Sequence, residues 1–536
     1  MSEDDRVPAD GSVLVASGPP PGRGVYCNRT LNLRSIQVIG YDMDYTLVHY
    51  HVVDWERSAY DHLQRRMSAD GFPVEGLAFD AELVTRGVII DTELGNLLKA
   101  NRFGYVKTAY HGTERMDYDR LRTVYMRTPV DLSDTRFRFL NTLFALSEAS
   151  MYAQLVDRLD EGAFDDGIGY QDLYRIVRSR LDQTHMMGRL KAEIMRDPER
   201  FVERDPDTIP TLLDQRRAGK RLLLITNSGW TYTDAMMRFI CDGALPPSMG
   251  GWRELFDVTV VAARKPAFFD GDAPLLRVVD DDGRLEPHIV GPLEPHGAYF
   301  GGHAAVLQDH LGVSEDEILY LGDHMYGDVH ASKDLLRWRT GLILRELEEE
   351  LRVVEETHAE QRELALLMQR KEALEYRQCQ LKRLQLRARV PADALAPAES
   401  GAAAATQVDV ATTAEALAEV KRELIALDEQ IAPLAIGAGK AHNPRWGLLM
   451  RAGNDKSQLA RQIERWADVY TSRVSNLLHQ TPFAYLRSRR GSLPHDPLRH
   501  LDAPPVSAVP GRAADGASEV RMTFRRGVDE GKDEPA

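Results

Sequence analysis

The stretch that decides the fold is SIQVIGYDMDYT, residues 35–46, where a short apolar run ends on two aspartates. A buried strand of a parallel sheet is typically a continuous apolar run of this length. Two later stretches have the same form, RLLLITNSG at 221–229 and EILYLGDHMYGD at 317–328. Helical segments lie between the three. The pattern predicts an α/β sheet, in which ligands bind at the carboxyl ends of the strands.

Four carboxylates follow these predicted strands. Asp42 and Asp44 end the first run, and residues two apart in an extended strand point to the same side. Asp323 and Asp328 end the third run. If the two strands are neighbours, the carboxylates repel one another unless a cation lies between them. Because Mg²⁺ prefers oxygen ligands, the sequence predicts a Mg²⁺ site at this edge of the sheet.

The second predicted strand and a later loop supply groups suited to phosphate oxygens. Thr226, Asn227 and Ser228 offer hydroxyl and amide groups, and Lys265 in ARKPAFF offers a positive charge. Each motif alone has an ordinary structural explanation, since a DxD is usually a turn and TNS after a strand is usually a helix N-cap. Their occurrence in order along the chain, three of them at predicted strand ends, favours a catalytic site.

Together these motifs resemble those of a known superfamily. DMDYT, ITNS, ARKP and GDHMYGD are similar to the four motifs of the haloacid dehalogenase-like phosphatases. Over most of residues 30–490 the chain resembles the cytosolic purine 5'-nucleotidases that prefer IMP and GMP, with further likeness in NTLFALSE (141–148) and TPFAYLRS (481–488). The resemblance implies a doubly wound, Rossmann-like haloacid dehalogenase core, a largely helical cap insertion and a C-terminal helical region. It also implies a hydrolase of nucleoside monophosphates.

The resemblance implies a role for each motif residue. Asp42 would attack phosphorus and form an aspartyl-phosphate, and Asp44 would protonate the departing ribose oxygen and then activate water. The implied Mg²⁺ ligands are the Asp42 carboxylate, the Asp44 backbone carbonyl and the Asp323 carboxylate, with Asp328 in support. The implied phosphate ligands are Thr226, Asn227 and Lys265. Phosphate transfer to an added nucleoside would follow from the same intermediate.

A helical stretch at 178–191 holds the candidate nucleotide ligands. Arg178, Asp182 and His185 fall at i, i+4 and i+7, which is one face of a helix, and Lys191 follows. The spacing alone is typical of a solvated ion pair. By the resemblance, Arg178 and Asp182 read the purine edge, Phe144 and His185 flank the base, and Lys191 meets the phosphate. Arg178 would donate to O6 and Asp182 would accept from N1, so IMP and GMP match and AMP does not.

The chain divides into several predicted regions. Residues 345–385 form a long amphipathic helical stretch, an Ala/Pro-rich linker follows near 390–413, and a second helical stretch covers 414–431. The predicted regions are a disordered tail at 1–25, a catalytic core at 26–50 and 219–345, a cap with the specificity helix at 51–218, a helical hairpin at 346–432, a C-terminal helical part packing on the core at 433–490, and a disordered tail at 491–536.

Two features bear on regulation and assembly. The resemblance implies a homo-oligomer, a dimer or a tetramer, and a second nucleotide site whose candidate residues are Asn141, Tyr326, Gln462 and Arg465, with Trp466 beside them. Asp334 stands where the animal enzymes carry a lysine, and its charge would repel an effector's phosphates, so we expect weak activation by ATP.

The helical hairpin has two explanations that the sequence leaves open: a solvated helix pair, or a role in assembly.

Composition limits the partners and the compartment. The 536 residues include 67 basic and 82 acidic ones, a formal net charge of −15, which disfavours nucleic acid and anionic membranes as partners. Three distant cysteines provide no disulfide framework, and we find no membrane span or signal peptide, so the sequence predicts a cytoplasmic protein. Two other functions remain open: a phosphatase for another phosphometabolite, and a catalytically silent scaffold acting through its hairpin.

Overall fold

The computed structural model describes most of the chain. The described residues are 19–20, 22–164, 167–186, 188–288, 291–389 and 410–489, with the side chains of 182–186, 410 and 411 outside the description. The predicted N-terminal tail lies outside it except for the residues next to the first strand. Residues 390–409 of the predicted linker near 390–413 and the predicted C-terminal tail at 491–536 also lie outside it, whereas residues 410–413 of that linker are described and helical.

The described strands build one large sheet, one smaller sheet and three short pairs. They are β1 (Tyr26–Cys27), β2 (Leu31–Asn32), β3 (Val38–Tyr41), β4 (His49–Tyr50), β5 (Ile89–Asp91), β6 (Asn96–Ala100), β7 (Val106–His111), β8 (Glu114–Arg115), β9 (Phe137–Phe139), β10 (Val202–Glu203), β11 (Arg221–Ile225), β12 (Val258–Val261), β13 (Leu275–Val278), β14 (Leu285–Pro287), β15 (Gly297–Gly301), β16 (Ile318–Gly322), β17 (Arg339–Ile343), β18 (Arg451–Ala452), β19 (Asp455–Lys456), β20 (Val469–Thr471) and β21 (Tyr485–Leu486).

The described helices lie between these strands and in one long hairpin. They are α1 (Val52–Ala69), α2 (Tyr118–Tyr125), α3 (Leu146–Asp160), α4 (Tyr170–Met186), α5 (Arg189–Arg196), α6 (Pro198–Phe201), α7 (Thr208–Arg217), α8 (Trp230–Cys241), α9 (Ala304–Leu311), α10 (Ala331–Leu336), α11 (Leu347–Glu356), α12 (His358–Ala388), α13 (Val410–Lys440), α14 (Gln458–Trp466) and α15 (Leu477–Gln480).

The large sheet is mainly parallel, as the apolar runs predict. Its strand order is β1-β20-β17-β16-β3-β11-β12-β15-β13-β14. The run from β20 to β15 is parallel, while β1 at one edge and β13 and β14 at the other pair antiparallel. The strands before the three motifs are therefore neighbours, with β3 between β16 and β11. Tyr41, the last residue of β3, pairs with Leu321 on one side and Leu224 on the other.

Alternate residues of the central strands face two different hydrophobic cores. Leu222 and Leu224 of β11 belong to a core that includes residues of α7 and α8. Leu223 and Ile225 belong to a second core that includes α9 and Trp338. Because successive side chains of a strand point to opposite faces, this division shows helices on both faces of the sheet. The α/β fold class with a doubly wound sheet is confirmed.

The segment between β3 and β11 contains helices and a second sheet. Its helices are α1 to α7, in agreement with the predicted largely helical insertion. It also contains a five-stranded antiparallel sheet of order β8-β7-β6-β5-β9, which the sequence analysis did not predict. These strands form a separate small core around Ile89, Leu98 and Ala109. Their side chains do not alternate simply, since all five residues of β6 are buried.

The C-terminal region is not only helical. After the hairpin, α14 leads into β20, which adds to the central sheet beside β17 and pairs with β1. The hairpin pairs α12 with α13, and α13 extends to Lys440, beyond the predicted end, with Pro433 inside it. Its buried core is small, comprising Leu374, Val420, Leu427 and Ile431. Within the described ranges, no helix is both long enough and apolar enough to cross a membrane.

Candidate active site

Four neighbouring strands carry the site at their carboxyl ends. In the spatial order β16, β3, β11, β12, the residues that follow are Asp323, Asp42, Thr226 and, within the next loop, Lys265. The Asp42 backbone N–H donates to the Leu321 carbonyl at 2.9 Å, which continues the pairing of β3 with β16 beyond the last strand residue. The sheet therefore brings together residues from four distant motifs.

Three carboxylates form a compact buried cluster. Asp42, Asp323 and Asp328 each place an oxygen within 4.8 Å of the others, and their exposed fractions are 8%, 2% and 1%. Burial raises the pKa of Asp42, although Lys265 opposes the shift. Burial also raises the pKa of Asp323 to about 7, against the effect of Arg86. Carboxylates crowded in this way favour a bound cation, and three oxygen donors fit Mg²⁺.

Lys265 is the cation that touches two of these carboxylates. Its Nζ lies 2.8 Å from Asp42 Oδ1 and 2.6 Å from Asp328 Oδ1. Burial would lower its pKa, but Asp328 and Asp42 outweigh burial and raise it well above the ordinary value. The Lys265 main chain is held by Asn227, which accepts from its N–H at 2.6 Å and donates to its carbonyl at 3.1 Å. The Asn227 side chain thus positions Lys265, and its role as a phosphate ligand stays a prediction.

Asp328 is fixed from two sides. Its Oδ2 accepts the His324 N–H at 3.0 Å, while its Oδ1 faces Lys265. A Cβ at Gly322 would lie 2.4 Å from Asp328 Cγ, so only glycine allows the carboxylate to pack against the end of β16. This explains why the first residue of GDHMYGD, Gly322, is a glycine. Asp328 is therefore held within the cluster, and its supporting role at a metal stays a prediction.

Asp44 follows Asp42 by two residues and is half-buried. It accepts hydrogen bonds from the Tyr50 hydroxyl and the Ser228 hydroxyl, each at 2.5 Å. Lys191 Nζ in turn donates to Ser228 Oγ at 2.8 Å and lies 4.6 Å from the centre of the Tyr232 ring. This chain of contacts brings Lys191 from the insertion to the edge of the core and holds the Asp44 carboxylate in one orientation.

The comparison with known families agrees with this geometry. A sequence model of the 5' nucleotidase family matches residues 25–498 of the 536. The chain belongs to the 5' nucleotidase family. This membership places it among the phosphoric monoester hydrolases, so the predicted enzyme class is confirmed at that level.

Curated relatives of this 5' nucleotidase family member share about a quarter of its residues. A 5'-nucleotidase domain-containing protein of Dictyostelium discoideum is 26% identical over 488 residues, covering 88% of this chain and 74% of that protein. The 5'-nucleotidase domain-containing protein 2 of Rattus norvegicus and that of Homo sapiens are 29% and 28% identical, each over 62% of this chain. The chain spans only 60% and 64% of the length of these two mammalian relatives.

The solved structures that match the chain are more distant in sequence. An archaeal beta-phosphoglucomutase from Pyrococcus matches with 9% identity and a TM-score of 0.28, covering 57% of this chain and 86% of that one. A haloacid dehalogenase-like family hydrolase from Xanthomonas campestris matches with 13% identity and a TM-score of 0.22, covering 57% and 82%. The fold class of this family member rests on its own sheet topology.

A cleft of about 440 Å³ opens beside the carboxylate cluster and contains two of the predicted nucleotide ligands. Phe144 lines it and packs edge-on against Tyr45 and Trp55, with ring centres 4.7 and 5.4 Å away. Arg178 lines it from α4, with Nη1 3.5 Å from the Glu148 carboxylate. The predicted ligands Asp182 and His185 also lie on α4, but their side chains are outside the described residues.

A second cleft of about 620 Å³ contains most of the predicted effector residues. Tyr326, Gln462 and Arg465 line it together with Asp334. The Trp466 indole N–H donates to Gln462 at 3.1 Å, and the Arg465 guanidinium lies 4.5 Å from the Trp466 ring. The structure places the fourth predicted residue, Asn141, at the first cleft, which Tyr326 also lines.

Three polar residues near the site were missed by the sequence analysis. Tyr50 binds Asp44, Thr142 donates to Asp323 Oδ2 at 3.0 Å, and the fully buried Arg86 donates to the Asp323 carbonyl. Thr142 lies in the NTLF stretch, of which the sequence analysis named only Asn141 and Phe144 as candidates. Tyr50 ends the two-residue strand β4, and Arg86 lies three residues before β5. A single polar residue at such a position carries no functional signal by itself.

Proposed function

We propose that this protein is a Mg²⁺-dependent 5'-nucleotidase that hydrolyses purine nucleoside 5'-monophosphates and prefers IMP and GMP. The observation that carries the proposal is the meeting of Asp42, Lys265 and Asp323 at the ends of neighbouring strands, beside a cleft lined by Phe144 and Arg178. A buried ion pair next to a carboxylate cluster is costly to maintain for structure alone. Its position at the strand ends supports catalysis.

Asp42 is the proposed nucleophile. Met43 N–H and Lys265 Nζ both contact its Oδ1, at 2.7 and 2.8 Å, so we assign the attack to Oδ2. An Oδ2–phosphorus bond forms as the bond from phosphorus to the ribose 5'-oxygen breaks, which gives an aspartyl-phosphate. Lys265 and the Thr226 loop lie where they can hold the phosphate oxygens as their charge redistributes.

Asp44 is the proposed acid and base. Asp44 starts the cycle protonated and gives its proton to the departing 5'-oxygen; the resulting carboxylate then takes a proton from the water that attacks phosphorus, which restores the starting form. This second attack breaks the bond to Asp42 and releases phosphate. The hydroxyls of Tyr50 and Ser228 hold the carboxylate for both steps. Replacing water by the hydroxyl of an added nucleoside would transfer the phosphoryl group instead.

Mg²⁺ fits the buried carboxylates. The proposed ligands are the Asp42 and Asp323 carboxylates and the Asp44 main-chain carbonyl, with Asp328 in support. When bound, Mg²⁺ screens the repulsion between Asp42 and a phosphate dianion. Thr142 and His324 hold Asp323 and Asp328 through single hydrogen bonds.

The base is proposed to bind between Phe144 and α4. Arg178 donates to O6 of a 6-oxopurine, and Asp182 accepts from N1–H. AMP presents the opposite pattern at both positions and would leave these polar groups unpaired. The exposed end of Arg178 and its position in the cleft support this readout.

The decisive experiment measures phosphate release from IMP, GMP, AMP, CMP and UMP, with and without Mg²⁺. We expect Mg²⁺-dependent release that is fastest with IMP and GMP, and a smaller preference over AMP in Asp182→Ala. Faster release from AMP would contradict the base readout. Release only from sugar phosphates would favour a different phosphometabolite, and no release from any substrate would favour a silent scaffold.

The second cleft is proposed to bind a regulatory ligand, with weak activation by ATP because Asp334 lines it. The preceding residue, Lys333, does not line this cleft and binds Asp468 at 2.7 Å. The homo-oligomer and the cytoplasmic location stay predictions from the sequence.

A further inference from the structure

Arg86 is a guanidinium buried beside the carboxylate cluster, and only 1% of its side chain is exposed. It lies just before β5, the first strand of the insertion's sheet. Its Nε donates to the Asn141 carbonyl at 3.0 Å, and its Nη2 donates to the Asp323 carbonyl. Its Nη1 lies 3.5 Å from Glu346 Oε2. One side chain therefore touches the insertion, the end of β16 and the segment after β17.

The contact with Asp323 is made to the carbonyl and not to the carboxylate. A cation on the Asp323 carboxylate would compete with Mg²⁺ for the same oxygens. Arg86 fixes the main chain and occupies neither carboxylate oxygen of Asp323. Glu346 supplies a counter-charge to Arg86 from outside the cluster, so the cluster's carboxylates are not needed to neutralise it.

A second contact holds the other end of Asp323. Thr142 Oγ1 donates to Asp323 Oδ2 at 3.0 Å, and Thr142 directly follows Asn141. The same short segment therefore binds Asp323 directly through Thr142 and indirectly through Arg86. Two residues further on it carries Phe144, which lines the first cleft. The position of Asp323 is thus tied to the segment that is proposed to hold the base.

We propose that Arg86 is a positioning residue for the metal site. It locks the Asp323 main chain to the 141–144 segment of the insertion, so that the Asp323 carboxylate is held ready for Mg²⁺. The inference rests on the proposed function, because it assigns Asp323 to the metal. Arg86 touches neither substrate nor reacting atoms, and it acts through Asp323.

The test compares Mg²⁺ binding by the full chain and its variants, using isothermal titration calorimetry with Mg²⁺ alone. In Arg86→Gln we expect the Mg²⁺ dissociation constant to rise about tenfold to a hundredfold, the usual effect of losing a partner of a metal ligand. Arg86→Lys keeps the charge but cannot reach both carbonyls in the same way, so we expect a smaller rise. The Mg²⁺ concentration for half-maximal phosphate release should rise in parallel.

Arg136→Gln is the matched control. Arg136 is also mostly buried and binds Asp91 in the insertion's sheet through two nitrogens, at 2.8 and 2.7 Å. The Arg136→Gln substitution should lower the melting temperature without changing the Mg²⁺ dissociation constant. If Arg86→Gln folds and binds Mg²⁺ as wild type does, the inference is overturned. If Arg86→Gln does not fold, Arg86→Lys decides by the same measurement.

The outcomes separate this inference from the proposed function. A wild-type chain that binds Mg²⁺ and releases phosphate, together with unchanged affinity in the Arg86 variants, overturns the positioning role alone. A wild-type chain that binds no Mg²⁺ overturns the proposed metal site and the role of Arg86 with it.

Discussion

Asp42 occupies a position that an amide can fill without disturbing the fold. Asparagine keeps the acceptor that Met43 N–H and Lys265 contact, but it cannot attack phosphorus. We expect Asp42→Asn to lower phosphate release by at least about a thousandfold, since loss of a nucleophile is among the largest single effects in catalysis. The circular dichroism spectrum and the affinity for nucleotide should stay those of the wild type. Turnover at more than a small fraction of the wild-type value would remove Asp42 from its assigned role.

Replacing Lys265 should destabilise the fold, unlike replacing Asp42, because its loss leaves buried carboxylates without their cation. We expect Lys265→Met to lower the free energy of unfolding by about 3–5 kcal/mol in Mg²⁺-free buffer. Urea denaturation measures it. The control is Lys371→Met, which removes the surface pair with Asp428 in the hairpin and should cost less than about 1 kcal/mol. Equal effects of the two substitutions would show that the Lys265 pair is not buried in solution.

Glu56 provides a pH-dependent contribution to stability. Burial raises the pKa of Glu56 to about 8, against the hydrogen bond from the Ser147 N–H at 2.7 Å. Because the folded-state pKa is above the unfolded value of 4.5, the folded state binds more protons between these values. The contribution of Glu56 to the free energy of unfolding is therefore fully present below about pH 4.5, and it is lost as the pH rises towards 8.

The measurement is thermal unfolding of wild type and Glu56→Gln across pH 5 to 8. Glutamine cannot ionise, so the difference in melting temperature between the two proteins should shift in favour of the variant as the pH rises. A difference that stays constant over this range would show that Glu56 does not titrate there.

Among the larger elements, the hairpin of α12 and α13 has the weakest packing. α12 spans 31 residues but buries only Leu374, whereas every residue of β16 is buried. We expect amides of α12 to exchange with deuterium well before those of β3 and β16, because local opening follows sparse burial. Mass spectrometry of peptic fragments measures this. Protection of α12 equal to that of β16 would instead support the role in assembly that the sequence left open.

The central strands were predictable because each has a distinctive local sequence pattern. In β3 and β16 an apolar run stops at an aspartate, and this boundary marks both the strand and its chemistry. The sheet of the insertion was not predictable in this way, since polar residues interrupt its longer strands, NLLKA in β6 and VKTAYH in β7. Arg86 was missed for a related reason: its role comes from Asn141 and Asp323, which only the folded chain brings to it.

At the scale of the whole molecule, the two clefts share Tyr326, which lies in the segment after β16. Asp334 lines the second of them and lies in α10, within the same region of the chain. We expect activation of IMP hydrolysis by millimolar ATP to stay below tenfold, because this carboxylate repels polyphosphate. Asp334→Lys should increase whatever response exists. A tenfold or larger rise in the wild type would refute the argument from Asp334.

The strand order has a consequence for synthesis on the ribosome. β3 is made early, yet its two neighbours β11 and β16 emerge much later, and the edge pair of β1 with β20 closes later still. A nascent chain therefore exposes a fully apolar strand while the strands that cover it are still being translated. The insertion's antiparallel sheet pairs strands close in sequence and can fold first. Recombinant yield should accordingly respond to slower translation and to chaperone supply more than to the stability of the finished enzyme.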